Sequence, residues 1–100
     1  MTNEVKGSDP IITGNDLRKM RLVAGETTDN MAEYAGVKTR KTYENWEANR
    51  SSPSINQFIA ICTRTGFDAG KLVAEFQKRN NRELISVDLE VIDWDSCLQV

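Results

Sequence analysis

Thr27–Ser54 reads TTDNMAEYAGVKTRKTYENWEANRSSPS. Thr27 can accept the free amides of a first helical turn. Met31, Ala32 and Ala35 then share one side of a helix over Thr28–Ala35, and Gly36 offers the left-handed residue that ends it. Thr39 repeats the capping signal for a helix predicted over Arg40–Asn49. On that helix Tyr43, Trp46, Glu47 and Arg50 lie together, opposite Lys41, Glu44, Asn45 and Ala48. The aromatics are therefore expected to face inward while a polar, partly basic edge faces out. Ser52-Pro53-Ser54 starts another helix, with proline in the first turn, where its missing N–H costs nothing.

Upstream, Asn15 is the expected cap of a helix over Asp16–Ala24, which stops at Gly25 and aligns Leu17, Met20 and Ala24. Residues 1–12 read as a flexible arm. Downstream, the proline-started helix runs to about Thr65 and is expected to bury Ile55, Phe58, Ile59 and Cys62 before Gly66 breaks it. Asp68 opens a fifth helix to about Arg79, with Ala69, Leu72, Val73 and Phe76 on one face. Asn80-Asn81 ends it, and Lys78, Arg79 and Arg82 suit a helix C-terminus. The period then changes from 3.6 to 2. Ile85, Val87, Leu89 and Val91 alternate with Ser86, Asp88, Glu90 and Ile92, which is a strand pattern. A lone strand leaves its backbone ladder open, so this one is expected to pair with the same strand of a second copy. The expected organisation is a mainly α fold: arm 1–12, helical domain 13–81, and dimerisation strand with tail 82–100.

With 100 residues, 39% of them hydrophobic and 28% charged, the chain makes one ordinary globular domain that needs no metal or disulfide to fold. It contains no histidine, the commonest general base and metal ligand. Cys62 and Cys97 lack zinc-ligand spacing, and neither a nucleophile elbow nor a glycine-rich phosphate loop is present. No catalytic residue, metal or cofactor is expected. Cys62 reads as a small core hydrophobe and Cys97 as part of a frayed end, with no disulfide between them in a reducing compartment. No apolar run approaches the roughly 20 residues of a membrane span. Met1–Pro10 has no apolar signal core, which makes the cytoplasm the default location.

The net charge of −2 conceals an uneven distribution. Between Lys38 and Arg50 the cations Lys38, Arg40, Lys41 and Arg50 face Glu44 and Glu47. From Glu83 to Asp95 every charge is negative. Phosphate binding responds to the local field rather than to the total. The acidic stretch reads as the solvated face of the strand, with a DNA mimic or a docking site for a basic partner as the competing readings.

Met20-Arg21, Thr27-Thr28, Met31-Ala32, Gly36-Val37, Tyr43, Trp46-Glu47 and Pro53-Ser54, taken in that order, resemble the Cro/XRE-type, lambda-repressor-like helix-turn-helix family. The likeness covers about residues 15–75. It implies a five-helix DNA-binding domain whose third helix enters the major groove, which is wide enough for one. The small Ala32, Ala35 and Gly36 suit the close helix contact such a motif needs. Counting back from Trp46, the resemblance assigns base reading to Arg40, Lys41 and Asn45. Arginine and lysine can donate to guanine O6 and N7, and asparagine can pair with adenine N6 and N7. Glu44 could accept from cytosine N4, or equally act as an anti-specificity charge near phosphates. Phosphate contacts are implied at Thr28, Asn49, Arg50 and Ser51, with Lys38 and Thr39 beside the same surface. Arg21 and Glu47 match a family pair that ties the first helix to the third as a partly buried ion pair. Ten positions separate Gly36 from Trp46, one more than the common family spacing. Either the turn around Val37-Lys38 is lengthened or the third helix begins differently.

The implied function is a dimeric, sequence-specific regulator of double-stranded DNA, a repressor on an inverted repeat, similar to short regulators of phages and other mobile elements. The competing reading is a protein-interaction module, such as an antitoxin or antirepressor, that uses the acidic strand. Tyr43 and Trp46 could also stack on single-stranded bases, but their spacing with Glu47 favours core packing.

Overall fold

Among the described residues, each of five α-helices begins on a side-chain oxygen. In the computed structural model, which describes residues 11–82 and 92–98, these are α1 (Gly14–Ala24), α2 (Thr28–Ala35), α3 (Arg40–Glu47), α4 (Ile55–Thr65) and α5 (Ala69–Arg82), followed by a 3₁₀ turn, Trp94–Cys97. Thr13, Thr27, Thr39 and Ser54 cap the first four, and Asp68 Oδ1 accepts from Lys71 N at the start of α5. Each such cap contributes about 1 kcal/mol. The described residues are mainly helical. Their β structure is an isolated antiparallel bridge between Phe67 and Leu98.

Several boundaries differ from the sequence reading. Helix α1 starts at Gly14, because Thr13 rather than Asn15 is the cap. Thr13 Oγ1 accepts from Asp16 N at 3.2 Å, and Asp16 Oδ2 accepts from Thr13 N at 2.9 Å. Helix α3 ends at Glu47, two residues short of expectation, because Asn49 is left-handed with φ 64°. Helix α5 passes through Asn80-Asn81 to Arg82.

The core combines Leu17 and Met20 from α1, Met31, Ala32 and Ala35 from α2, Tyr43 and Trp46 from α3, Phe58, Ile61 and Cys62 from α4, and Leu72 and Phe76 from α5, with Phe67 between the last two helices. Ile55 and Ile59, expected inside, are exposed. Phe58, Ile61 and Cys62 set the buried face of α4, which is rotated from the one that Ile55 and Ile59 would share.

The two ends of the described chain join this core. Ile11 and Ile12, assigned to a flexible arm, are partly buried against it. Arg79, assigned to a helix-terminus role, instead donates from Nη1 to Asp16 Oδ1 at 2.8 Å and from Nη2 to Asp16 Oδ2 at 3.1 Å and Ile11 O at 3.0 Å. Helix α5 therefore holds the start of α1. Cys97 is buried rather than frayed, because the 3₁₀ turn folds back. Asp68 N donates to Cys97 O at 2.6 Å, and Trp94 meets Phe67 edge-on at 6.1 Å and Phe76 at 6.0 Å. Residues 1–10 and the alternating segment with Ile85, Val87, Leu89 and Val91 lie outside the described residues, and so does any pairing of that segment.

Cys62 and Cys97 are both free and buried. Burial, aided by the nearby Asp68, pushes the Cys62 thiol up to about 12, and burial also raises Cys97. The thiolate is the reactive form. At pH 8 neither thiol should react with a thiol-reactive disulfide reagent within minutes in the native protein, while both should react at once in denaturant. A rapid native titration of Cys97 would mean that the 3₁₀ turn does not hold.

Candidate nucleic-acid interface

Helix α3 is fixed from its inner side by three kinds of contact. The first is apolar: Tyr43 is fully buried and Trp46 nearly so, with ring centroids 5.9 Å apart and planes at 73°, the edge-to-face arrangement aromatic pairs prefer. The second is a buried hydrogen bond from the Tyr43 hydroxyl to Leu17 O on α1 at 3.2 Å. Burial, and then Glu47, push this phenol above its ordinary pKa range, so it stays a neutral donor. The third is ionic. Arg21 Nε donates to Glu47 Oε2 at 2.8 Å and Arg21 Nη2 to Glu47 Oε1 at 3.2 Å. This fork-to-fork geometry fixes orientation as well as distance, and the bond to Glu47 raises the Arg21 pKa.

The C-terminal end of α3 sits directly on the start of α1. Gly14 N donates to Asn49 Oδ1 at 2.9 Å. A Cβ at position 14 would overlap Glu47 O and lie 2.6 Å from Glu47 C and Trp46 O. Asn49 adopts the left-handed conformation that asparagine tolerates better than most residues, and there its side chain replaces a backbone acceptor for α1. Its carbonyl is thus already engaged, which gives Asn49 a positioning role that the sequence reading did not assign.

With α3 held from behind, its other edge faces solvent. Arg40 and Lys41, in its first turn, are exposed, and Glu44 and Asn45 one turn on are half-buried. Thr39 caps the helix, its Oγ1 accepting from Thr42 N. Lys38 precedes it, and Arg50 and Ser51 follow the helix; all three are exposed. Among the described residues, Lys38, Lys41 and Arg50 enter no ion pair. Thr28, in the first turn of α2, is brought to this edge too, because α2 packs closely on α3. Its hydroxyl donates to Glu44 Oε2 at 3.1 Å. The structure thus gathers Thr28, Arg40, Lys41, Glu44 and Asn45 beside one another and places Arg50 and Ser51 at the far end of the same helix.

Sequence reading missed one member of this surface. Asp29 on α2 approaches Arg40, with Oδ2 3.9 Å from Arg40 Nη1, while Glu44 Oε2 lies 3.3 Å from Arg40 Nε. The i,i+4 spacing of Arg40 and Glu44 was visible in the sequence; the approach of Asp29 depends on the angle between α2 and α3. No family model, curated protein or solved structure matches this chain.

Proposed function

We propose that this chain is a sequence-specific regulator of double-stranded DNA of the Cro/XRE helix-turn-helix kind, acting as a dimeric repressor on an inverted repeat. The observation that carries the reading is the division of α3. One side is fixed by Tyr43, Trp46 and Glu47, and the other presents Arg40 and Lys41 to solvent with Asn45 half-buried one turn on. A helix that reads base edges needs such a polar face on a rigid support, because each contact depends on placement to within hydrogen-bond distance. Lys38, Arg50 and Ser51 flank that edge, where groups that neutralise or bond phosphate would fix register without reading sequence.

In-vitro selection of bound duplexes tests the reading. The expected product is an inverted repeat whose half-sites are centred about one helical turn apart; enrichment of no duplex would end it. Lys41→Ala should weaken binding to the selected site by roughly tenfold or more, the scale of one lost base contact, and should leave binding to a shuffled duplex almost unchanged. Arg50→Ala should weaken both duplexes alike and reduce the salt slope by about one. Gel shifts across a salt series measure both effects. Ala48→Ser, at an exposed position, is the neutral control; an equal loss there would undo the residue assignment.

A further inference from the structure

Arg40 is the first residue of α3, yet its guanidinium is not free. Glu44 Oε2 stands 3.3 Å from Nε, Asp29 Oδ2 3.9 Å from Nη1, and Thr28 Oγ1 donates to the same Glu44 oxygen at 3.1 Å. The local sum over Arg40, Asp29 and Glu44 is one positive and two negative charges. The order of Arg40 and Glu44 along the helix also runs against the macrodipole, which favours the acid on the N-terminal side of an i,i+4 pair. This arrangement adds little to helix stability.

From this geometry we infer that Asp29 and Glu44 are specificity-determining residues that restrict Arg40 to uncharged acceptors. The inference rests on the DNA-binding reading above and names what this edge of α3 accepts and refuses. A phosphate brought to Arg40 also meets two carboxylates within 4 Å of the same guanidinium, and like charges at such short range repel. A guanine edge carries no net charge. Its O6 and N7 can take two N–H groups of the guanidinium while Glu44 keeps Nε. The carboxylates thus penalise backbone binding more than base binding. Discrimination arises as much from penalising the wrong partner as from contacts with the right one. Thr28 keeps Glu44 in place from α2, which makes the restriction a property of the packed helix pair.

The test uses the full-length protein, its Glu44→Gln and Asp29→Asn variants, and two probes. One probe is a duplex recovered by selection on the wild-type chain, the other a shuffled duplex of the same composition. All three proteins are first compared by circular dichroism melting. Each variant is expected to bind the shuffled duplex about fivefold more tightly at low salt, and the selected duplex less than twofold more tightly. The preference for the selected site then falls several-fold. If the wild type prefers its selected site and neither variant gains affinity for the shuffled duplex, the inference is overturned while the DNA reading stands. A fall in selected-site affinity alone would equally overturn it, since Glu44 would then act only as a support for Arg40. A wild-type chain that retains no duplex overturns both.

Discussion

Gly14→Ala should destabilise the protein by about 3 kcal/mol, the upper part of the range for forcing an extra carbon into a packed site. The sign is the informative part. Within a helix, alanine is ordinarily the better residue by roughly 0.5–1 kcal/mol. Here the added Cβ would overlap Glu47 O and crowd Glu47 C and Trp46 O, which are backbone atoms that no rotamer change can move. Relief requires α1 to withdraw from the end of α3. That would stretch the bonds from Gly14 N to Asn49 Oδ1, from the Tyr43 hydroxyl to Leu17 O and from Arg21 to Glu47. Urea unfolding should show a lower midpoint with an unchanged slope. Gly25→Ala provides the contrast. Gly25 has φ 72° and nothing within 4 Å of where its Cβ would lie, so alanine there meets only the left-handed penalty of about 1–2 kcal/mol. A Gly14→Ala protein as stable as the wild type would refute the close approach of α1 and α3.

What the sequence revealed and what it hid divide along the same physical line. Helix α2 was legible from end to end, since a threonine cap, a three-residue apolar face and a terminal glycine all act within the short stretch Thr27–Gly36. The inward face of α3 was legible for the same reason. The start of α1 was not. Thr13 and Asn15 are both good caps, and the choice between them involves Arg79, which binds the carboxylate of Asp16, 63 residues from it in sequence and part of the Thr13 capping box. The buried face of α4 was misplaced because periodicity defines a stripe but not the angle at which a helix meets its neighbours. Ile55, Ile59 and Ile61 are equivalent in composition, yet only Ile61 is inside. At the candidate site, the basic residues of α3 could be named from spacing and family likeness. Asp29 could not, because its role follows from the packing of α2 on α3. The left-handed turn at Asn49 was similarly hidden, although asparagine two residues beyond a helix end is a usable signal for one.

Glu47→Ala should be equally damaging, costing about 3 kcal/mol, and for a different reason. The side chains of Arg21 and Glu47 are only 18% and 13% exposed, and removing one member of such a pair leaves the other charge in a poorly solvated site. The loss therefore measures the stranded arginine more than the strength of the bond. A double-mutant cycle separates the two. Arg21→Ala alone should also destabilise, but Arg21→Ala with Glu47→Ala should cost well under the sum of the singles. Arg21→Met with Glu47→Leu, which fills the space with apolar atoms, should come close to wild-type stability. That apolar pair supplies the sharper functional test. If the ion pair served only stability, the Met/Leu protein would bind a selected duplex as the wild type does. The forked contact fixes the direction of α3 relative to α1 as well as their separation, so a repacked pair should retain stability and still lose discrimination between selected and shuffled duplexes. Equal discrimination in the Met/Leu protein and the wild type would show that the aromatic packing of Tyr43 and Trp46 alone orients the helix.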